Sequence, residues 1–266
     1  MKQLIVRYFC YCFLLLFCLG VGHALARVAP DSRIRADLRT IFDQSPIING
    51  FPYQKIVETA GARYDIPVPF ILAVVRGESF FDPRAISAKG AIGLMQVMPS
   101  TAADYGLKPD DLLDPDKNID VGTHYLLDLY TQMQDPYLTL AAYYCGSGGV
   151  DRENYTLRQD CDDYVHYIHT HLKKILAGGE DGAVDTVGHL QQFSLTQFDN
   201  LLDAESFMRL LSRKDIGFQL DIFRQEVVHL DHRRMQYQIL VAFGQNIEKE
   251  TICSEIEKAT GFSFCK

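Results

Sequence analysis

The chain has 266 residues, of which 47% are hydrophobic and 23% charged, and its formal net charge is −8. This composition excludes a disordered, collagen-like or low-complexity chain and allows one large domain or two smaller ones. The acidic balance argues against a protein that binds nucleic acid along its phosphates, because that binding needs a basic surface.

The first 26 residues are predicted to form a secretory signal peptide. Lys2 and Arg7 precede an uncharged apolar run, and residues 24–26 have the small-x-small form of a signal peptidase site. The run is shorter than the ~20 residues that a spanning helix needs, so an uncleaved membrane anchor is the weaker alternative. Cleavage would make the formal charge two units more negative and remove three of the seven cysteines.

Four cysteines would remain in the mature chain. An even number in an exported chain indicates disulfides, and four cysteines allow three pairings. A local pairing would join Cys145 to Cys161 and Cys253 to Cys265. Free thiols, or a single bridge, are the alternative.

The middle of the chain is dense in helical periodicity. We interpret residues 27–52 as a lead-in segment with one short helix over 32–42, residues 53–177 as a helical domain, and residues 178–186 as a glycine-rich linker. Within the helical domain, apolar spacing and turn residues predict helices over 55–64, 69–79, 100–105, 118–134, 137–144 and 162–177.

After the linker the apolar residues alternate, which is typical of half-buried strands. The predicted order over 187–266 is strand (187–193), helix (200–213), strand (217–224), strand (234–243), helix (247–260) and short strand (262–264). The predicted fold is therefore a mainly α domain followed by a small α+β domain of βαββαβ order.

Glu78 is the candidate catalytic residue of the helical domain. It lies at the end of the predicted 69–79 helix, and the aliphatic residues on the same helix face are Ile71, Val74 and Val75. An apolar environment disfavours the charged carboxylate and raises its pKa, which suits a general acid at neutral pH. The alternative is that Glu78 reaches solvent or pairs with Arg76 or Arg84.

Three motifs follow one another around this carboxyl: Glu78-Ser79, Gly93-Leu94-Met95-Gln96 and Ala142-Tyr143-Tyr144-Cys145-Gly146. In order and spacing they resemble the Glu-Ser, Gly-Leu-Met-Gln and Ala-Tyr-Asn-x-Gly motifs of the soluble lytic transglycosylase (SLT) catalytic domain, which has a lysozyme-like fold. The resemblance covers about residues 53–177 and is far more specific than any one motif.

The resemblance implies an enzyme that cleaves the β-1,4 bond between N-acetylmuramic acid (MurNAc) and N-acetylglucosamine (GlcNAc) in peptidoglycan. Glu78 would act as the single acid/base, and the muramic 6-hydroxyl would close a 1,6-anhydro ring. No second carboxylate, cofactor or metal ion is implied, and Asp82 is expected to cap a turn. The alternatives are a lysozyme-type hydrolase and a non-catalytic wall-binding or scaffold protein.

Further positions carry over from the resemblance one at a time. The residues expected to contact the glycan are Ser87, Met95, Gln96, Tyr143, Tyr144 and Tyr164, and the family's Tyr at the position of Tyr164 hydrogen-bonds the catalytic Glu. Ordinary turn or core packing is the alternative for Ser87, Met95 and Tyr143. Tyr144 departs from the family's Asn and offers one hydroxyl and a flat ring in place of an amide, so it puts substrate positioning in question.

The C-terminal segment resembles a SPOR domain, a βαββαβ module that binds peptidoglycan glycan stripped of stem peptides. The side chains expected to form its outward glycan face are Gln219, Phe223, Gln236 and Gln238, and an ordinary solvated sheet face is the alternative. Together the two resemblances imply a periplasmic protein of the bacterial envelope whose partner is the peptidoglycan strand. They imply no nucleic acid, contact with the membrane only through the signal segment, and no wall-associated protein partner that can be named.

Three histidines, His166, His169 and His171, are close in sequence. No carboxylate or cysteine stands at ligand spacing beside them, so we interpret them as surface histidines and predict no metal site.

Overall fold

The structure, a computed structural model, describes residues 27–177, 191–212, 218–229, 232–243, 247–261 and 263–264. The predicted signal peptide, the predicted linker and Cys265 lie outside these ranges. Among the described residues, no helix is both long enough and apolar enough to cross a membrane.

Residues 27–177, here called the helical unit, are built mainly from α-helices, as predicted. The helices are α1 (Ser32–Gln44), α2 (Gln54–Tyr64), α3 (Val68–Ser79), α4 (Pro99–Asp104), α5 (Pro115–Met133), α6 (Pro136–Cys145) and α7 (Gln159–Leu176), with short 3-10 turns at Pro109–Leu113 and Ser147–Gly149. The sequence did not predict the small antiparallel sheet of β1 (Arg27–Val28), β2 (Val150–Asp151) and β3 (Thr156–Arg158), in which β3 is central. Strands of two or three residues are too short to show a period.

The lead-in segment, residues 27–52, packs onto the rest of the helical unit. Leu38 of α1 is fully buried, and β1 pairs with β3. Arg35 and Arg39 both donate to the buried carboxylate of Asp135, at 2.7 and 2.9 Å, while Asp135 also caps the start of α6. The segment is therefore held both by apolar packing and by a buried ion-pair network.

Helix α3 runs through the core and ends at the candidate catalytic carboxyl. Its residues from Phe70 to Val75 are fully buried. Gly77 lets α7 approach, since a Cβ there would lie 2.4 Å from Cδ1 of Ile168. The helix stops at Phe80, which adopts a left-handed conformation with φ of 51°. Close packing thus fixes the axis of α3, and with it the direction of Glu78.

The described residues after 190, here called the C-terminal unit, form β4 (Gln191–Phe198), α8 (Leu201–Ser212), β5 (Gln219–His229), β6 (His232–Phe243) and α9 (Lys249–Thr260). The sheet is antiparallel in the order β4-β6-β5. The predicted fold class is confirmed: a mainly helical part with a small α+β part. The first strand continues to Phe198, beyond the predicted end at residue 193, and residues 263–264 of the predicted last strand are not in a strand.

The strand β5 lies at an edge of this sheet and docks on the helical unit. The Asp221 carboxylate pairs with Arg76 of α3 and, at 2.9 Å, with Lys174 of α7. The Lys174 ammonium also donates to the carbonyl of Leu220 at 2.8 Å. Burial alone would raise the pKa of Asp221, but the two positive charges outweigh burial and hold the pKa well below its usual range.

Replacing Asp221 with Asn should destabilise the protein by about 3 kcal/mol at neutral pH, because Arg76 and Lys174 would lose their common carboxylate in a mostly buried setting. The pKa of Asp221 is lowered in the folded state, so its contribution is complete above the ordinary carboxyl range and is lost as the pH falls through the lowered pKa. Urea unfolding of wild type and Asp221→Asn should therefore give curves that converge in acid.

The matched control is Asp199→Asn, which removes an exposed pair with Arg234. We expect little change in the free energy of unfolding for it. If Asp221→Asn unfolds at the same urea concentration as this control, the ion pairs do not hold the two units together.

Candidate active site

Glu78 lies at the end of α3, where its half-buried carboxylate accepts a hydrogen bond from the Tyr164 hydroxyl at 2.5 Å. Burial raises the pKa of Glu78, while the Tyr164 hydrogen bond and the positive charge of Arg224 lower it, and the net result is a raised pKa. The alternative pairing with Arg76 is wrong, because the Arg76 guanidinium is engaged by Asp221. This geometry suits a carboxyl group that stays protonated at pH values above the usual range of carboxyl pKa values.

The aromatic ring of Tyr144 stacks on that of Tyr164, with centroids 5.0 Å apart and planes 15° apart. The Tyr144 ring therefore covers the ring of Tyr164, the residue that donates the hydrogen bond to Glu78. The next residue, Cys145, forms a disulfide with Cys161 of α7, as the local pairing predicted. This bridge ties the end of α6 to the helix that carries Tyr164. The Cys253–Cys265 pairing stays a prediction, since Cys265 lies outside the described residues.

The loop after Glu78 is fixed by hydrogen bonds to its own backbone. The Ser79 hydroxyl donates to the Leu94 carbonyl at 2.8 Å, and the Gln96 amide donates to the carbonyls of Ala85 and Gly93 at 3.0 and 2.9 Å. The Ser87 hydroxyl accepts from the Ala91 amide at 3.0 Å. Ser87 and Gln96 thus shape the loop, and glycan contact by either residue stays a prediction.

Asn118 anchors the same loop from α5, a role that the sequence did not assign. Its side-chain oxygen accepts from the Met95 amide at 2.8 Å, and its NH₂ group donates to the carbonyls of Ile92 and Leu112. Gly93, with φ of +78°, is required beside it, because a Cβ would lie 2.3 Å from the Asn118 amide nitrogen. The signal available in the sequence was an Asn at the first position of the helix predicted over 118–134.

Met95 was expected to line the groove, and that expectation is wrong. Its side chain is fully buried and packs on α5, where a Cβ on Gly122 would lie 2.5 Å from the Met95 sulfur. Tyr143 is half-buried and donates to the Met95 carbonyl at 2.7 Å. Asp82 accepts from the Arg84 amide at 2.8 Å and so caps a turn, as predicted.

The sequence missed Arg224, which β5 of the C-terminal unit brings to this site. Its guanidinium carbon lies 4.0 Å from the ring centroid of Tyr144 and 5.1 Å from that of Tyr164. Its backbone N–H donates to the Tyr167 hydroxyl at 3.4 Å, and that hydroxyl donates to the carbonyl of Gly77 at 3.0 Å. The Tyr at position 144, where the family has Asn, was the available signal for an additional stacking partner.

Two residues of the predicted outward glycan face of the C-terminal unit, Gln236 and Phe223, do not lie on an open face. Gln236 is buried, which contradicts its predicted exposure, and Phe223 packs edge-on against Phe80 of the helical unit at 5.6 Å. Gln238 donates to Gln225 across the strands at 2.9 Å. The side chain of Gln219 lies outside the described part of the chain. The expectation failed because β5 is covered by the helical unit, which a strand pattern does not reveal.

The histidines of α7 were expected at the surface, and for His169 and His171 this is wrong, since both are buried. The reason is that α7 is covered on two sides: His169 contacts Asp37 of α1 at 3.0 Å, and His171 accepts from Arg76 beside β5. Burial and the Arg76 charge lower the pKa of His171 well below its usual value, so this ring is neutral. Among the described residues, the one group of side chains that could bind a metal ion is Cys145, Asp160 and Cys161, and its two cysteines are joined in a disulfide.

Residues 55–162 match the family model described as the transglycosylase SLT domain, which confirms the predicted resemblance to that family. The membrane-bound lytic murein transglycosylase C of Glaesserella parasuis is 38% identical over 38% of this chain and 32% of that protein. The soluble lytic murein transglycosylase of Escherichia coli is 40% identical over 37% of this chain and 17% of that protein.

The chain therefore spans a third or less of the length of these curated relatives. Among solved structures, an inactive mutant of the lytic transglycosylase Slt from Pseudomonas aeruginosa aligns with a TM-score of 0.39 and 25% identity, over 51% of this chain and 25% of that one. The 70 kDa soluble lytic transglycosylase of Escherichia coli aligns with a TM-score of 0.37 and 26% identity, over 51% of this chain and 24% of that one.

Replacing Tyr164 with Phe should raise the pKa of Glu78, because it removes a hydrogen bond that stabilises the carboxylate. Carbon-13 NMR titration of labelled glutamate carboxyls would measure this, with the Glu78 signal assigned by its loss in Glu78→Gln. Tyr155→Phe, at an exposed ring, is the control and should leave the titration unchanged. An unchanged Glu78 titration in Tyr164→Phe would mean that the hydrogen bond does not set the protonation of the site.

Proposed function

We propose that this chain is a peptidoglycan lytic transglycosylase that cleaves the bond between MurNAc and GlcNAc and leaves a 1,6-anhydro end. The match of residues 55–162 to the SLT domain and the names of the relatives support the proposal. The observation that carries it is the half-buried carboxyl of Glu78, which has a raised pKa and accepts a hydrogen bond from Tyr164.

In the first step, Glu78 donates its proton to the glycosidic oxygen as that oxygen leaves with GlcNAc. A raised pKa keeps the carboxyl protonated before the reaction. The muramic N-acetyl oxygen attacks the anomeric carbon and forms an oxazolinium ion, so no second protein carboxylate is required. Asp82 caps a turn, which is consistent with this single-carboxylate scheme.

In the second step, the Glu78 carboxylate accepts the proton of the muramic 6-hydroxyl. The oxygen of that hydroxyl attacks the anomeric carbon, and the bond to the N-acetyl oxygen breaks. The Tyr164 hydrogen bond and the Arg224 charge favour the carboxylate that exists between the two steps. Protonated Glu78 is regenerated, and all atoms of the glycan are retained in the two products.

The proposed substrate places the protein in the bacterial envelope, as the names of its murein-acting relatives suggest. A periplasmic position after signal cleavage, and glycan binding by the C-terminal unit, are part of the same proposal. Phe223 and Gln236 do not contribute to a glycan face, so Gln238 remains as the described candidate of the original four.

Replacing Glu78 with Gln should reduce the release of fragments from purified sacculi by about a thousandfold, because the amide cannot donate the proton. Glu153→Gln, at an exposed position, is the matched control and should digest sacculi like wild type. Equal digestion by Glu78→Gln and wild type would show that Glu78 is not the acid.

Mass spectrometry of the wild-type fragments should find anhydro ends, which are lighter by one water than reducing ends. Reducing ends alone would assign the chain to the hydrolases. Binding to sacculi without any released fragment would support the scaffold alternative.

The alkaline limb of the pH–rate profile should lie above the ordinary carboxyl range, because Glu78 must be protonated to act and burial raises its pKa. Initial rates of sacculus digestion across a pH series would measure this limb. A limb within the ordinary carboxyl range would contradict the assignment of the half-buried Glu78 as the acid.

A further inference from the structure

The contacts between the two units are concentrated around the candidate acid. Four side chains of β5 contact the helical unit. Asp221 pairs with Arg76 and Lys174, and Glu226 pairs with Lys89. Phe223 packs on Phe80, and Arg224 lies over the rings of Tyr144 and Tyr164. Arg76 and Phe80 lie two residues before and two residues after Glu78 on the chain. The edge strand of the C-terminal unit therefore crosses the end of α3 where the candidate acid stands.

Arg224 differs from the other cations of this interface. Arg76 and Lys89 each pair with a carboxylate of β5. The Nε and Nη2 atoms of Arg224 are instead buried without a hydrogen-bond partner among the described residues. A buried guanidinium with two unused donors is costly, so such a position needs a reason beyond holding the units together.

The geometry supplies that reason. The guanidinium lies over the rings of Tyr144 and Tyr164, at 4.0 and 5.1 Å, and the Tyr164 hydroxyl donates to Glu78. A cation on an aromatic face is attractive, and more so where water is excluded. Arg224 thus contacts both stacked rings, Tyr144 and Tyr164, and its positive charge favours the carboxylate form of Glu78.

We propose that Arg224 is a positioning residue of the active site, through which the C-terminal unit holds the Tyr144–Tyr164 stack in place and faces Glu78 with a positive charge. This inference rests on the function proposed above, since it assigns Arg224 a part in that reaction. It also explains Tyr144: a flat ring at this position gives the guanidinium a surface that an amide would not.

The charge has a consequence for protonation. The groups that bear on Glu78 from the elements around it are Tyr164 and Tyr167 of α7, Tyr143 of α6 and Arg224 of β5. The tyrosines remain neutral, because burial raises the pKa of each above its usual value. Arg224 is therefore the charged member of this set, and it favours the carboxylate that must accept the proton of the 6-hydroxyl.

The test compares Arg224→Gln, Arg224→Lys and wild type in the full chain, with Arg234→Gln as the matched control on the exposed part of β6. We expect Arg224→Gln to lower the optimal rate of sacculus digestion about tenfold through loss of the stack. Its alkaline limb should move to higher pH, since the pKa of Glu78 rises when the positive charge is removed. Arg224→Lys should keep the limb near that of wild type but lose rate, and Arg234→Gln should match wild type in both.

Carbon-13 NMR titration of Glu78 in the same variants needs no turnover, so it separates this inference from the proposed function. A higher pKa for Glu78 in Arg224→Gln, but not in Arg234→Gln, would support the placement of Arg224 even if wild type released no glycan. An unmoved titration would overturn the proposal, including the case in which activity falls because the variant is merely less stable. Faster digestion by Arg224→Gln would overturn it as well, because β5 would then be an obstruction to the glycan.

Discussion

The site depends on one hydrogen bond, from the Tyr164 hydroxyl to the carboxylate of Glu78. It joins α3 to α7, two helices whose close approach is permitted by Gly77. Three further features support one of the two partners. The disulfide between Cys145 and Cys161 fixes the start of α7, the buried residues of α3 fix its axis, and the ring of Tyr144 covers Tyr164. A carboxyl held in this way combines burial, which favours the proton, with a donor that favours its loss.

The two units are coupled electrostatically as well as by packing. Asp221 is shared by Arg76 and Lys174, and the same Arg76 donates to the neutral ring of His171. This network lies beside the helix turn that carries Glu78. An ion pair that docks β5 therefore involves Arg76, two residues before the candidate acid on the same helix.

The features predicted correctly from the sequence are those that depend on local pattern. The helices followed from apolar spacing, and the raised pKa of Glu78 followed from the aliphatic residues on the same face of its helix. Met95 was misplaced because its side-chain direction depends on the gap that Gly122 leaves on a different helix. His169 and His171 were misplaced because α7 is covered on two sides, while the sequence shows polar residues on those sides. Arg224 was missed because it stands 146 residues after Glu78 and reaches the site only through the docking of β5.

The position of β5 at the edge of its sheet has a consequence for self-association. Side chains of α7 cover this edge, since the Lys174 ammonium donates to the Leu220 carbonyl and the Tyr167 hydroxyl accepts from the backbone N–H of Arg224. An edge strand with free backbone groups is a template for pairing with another chain. Separation of the two units would uncover such a template, so the helical unit protects the C-terminal unit from adding strands of neighbouring copies.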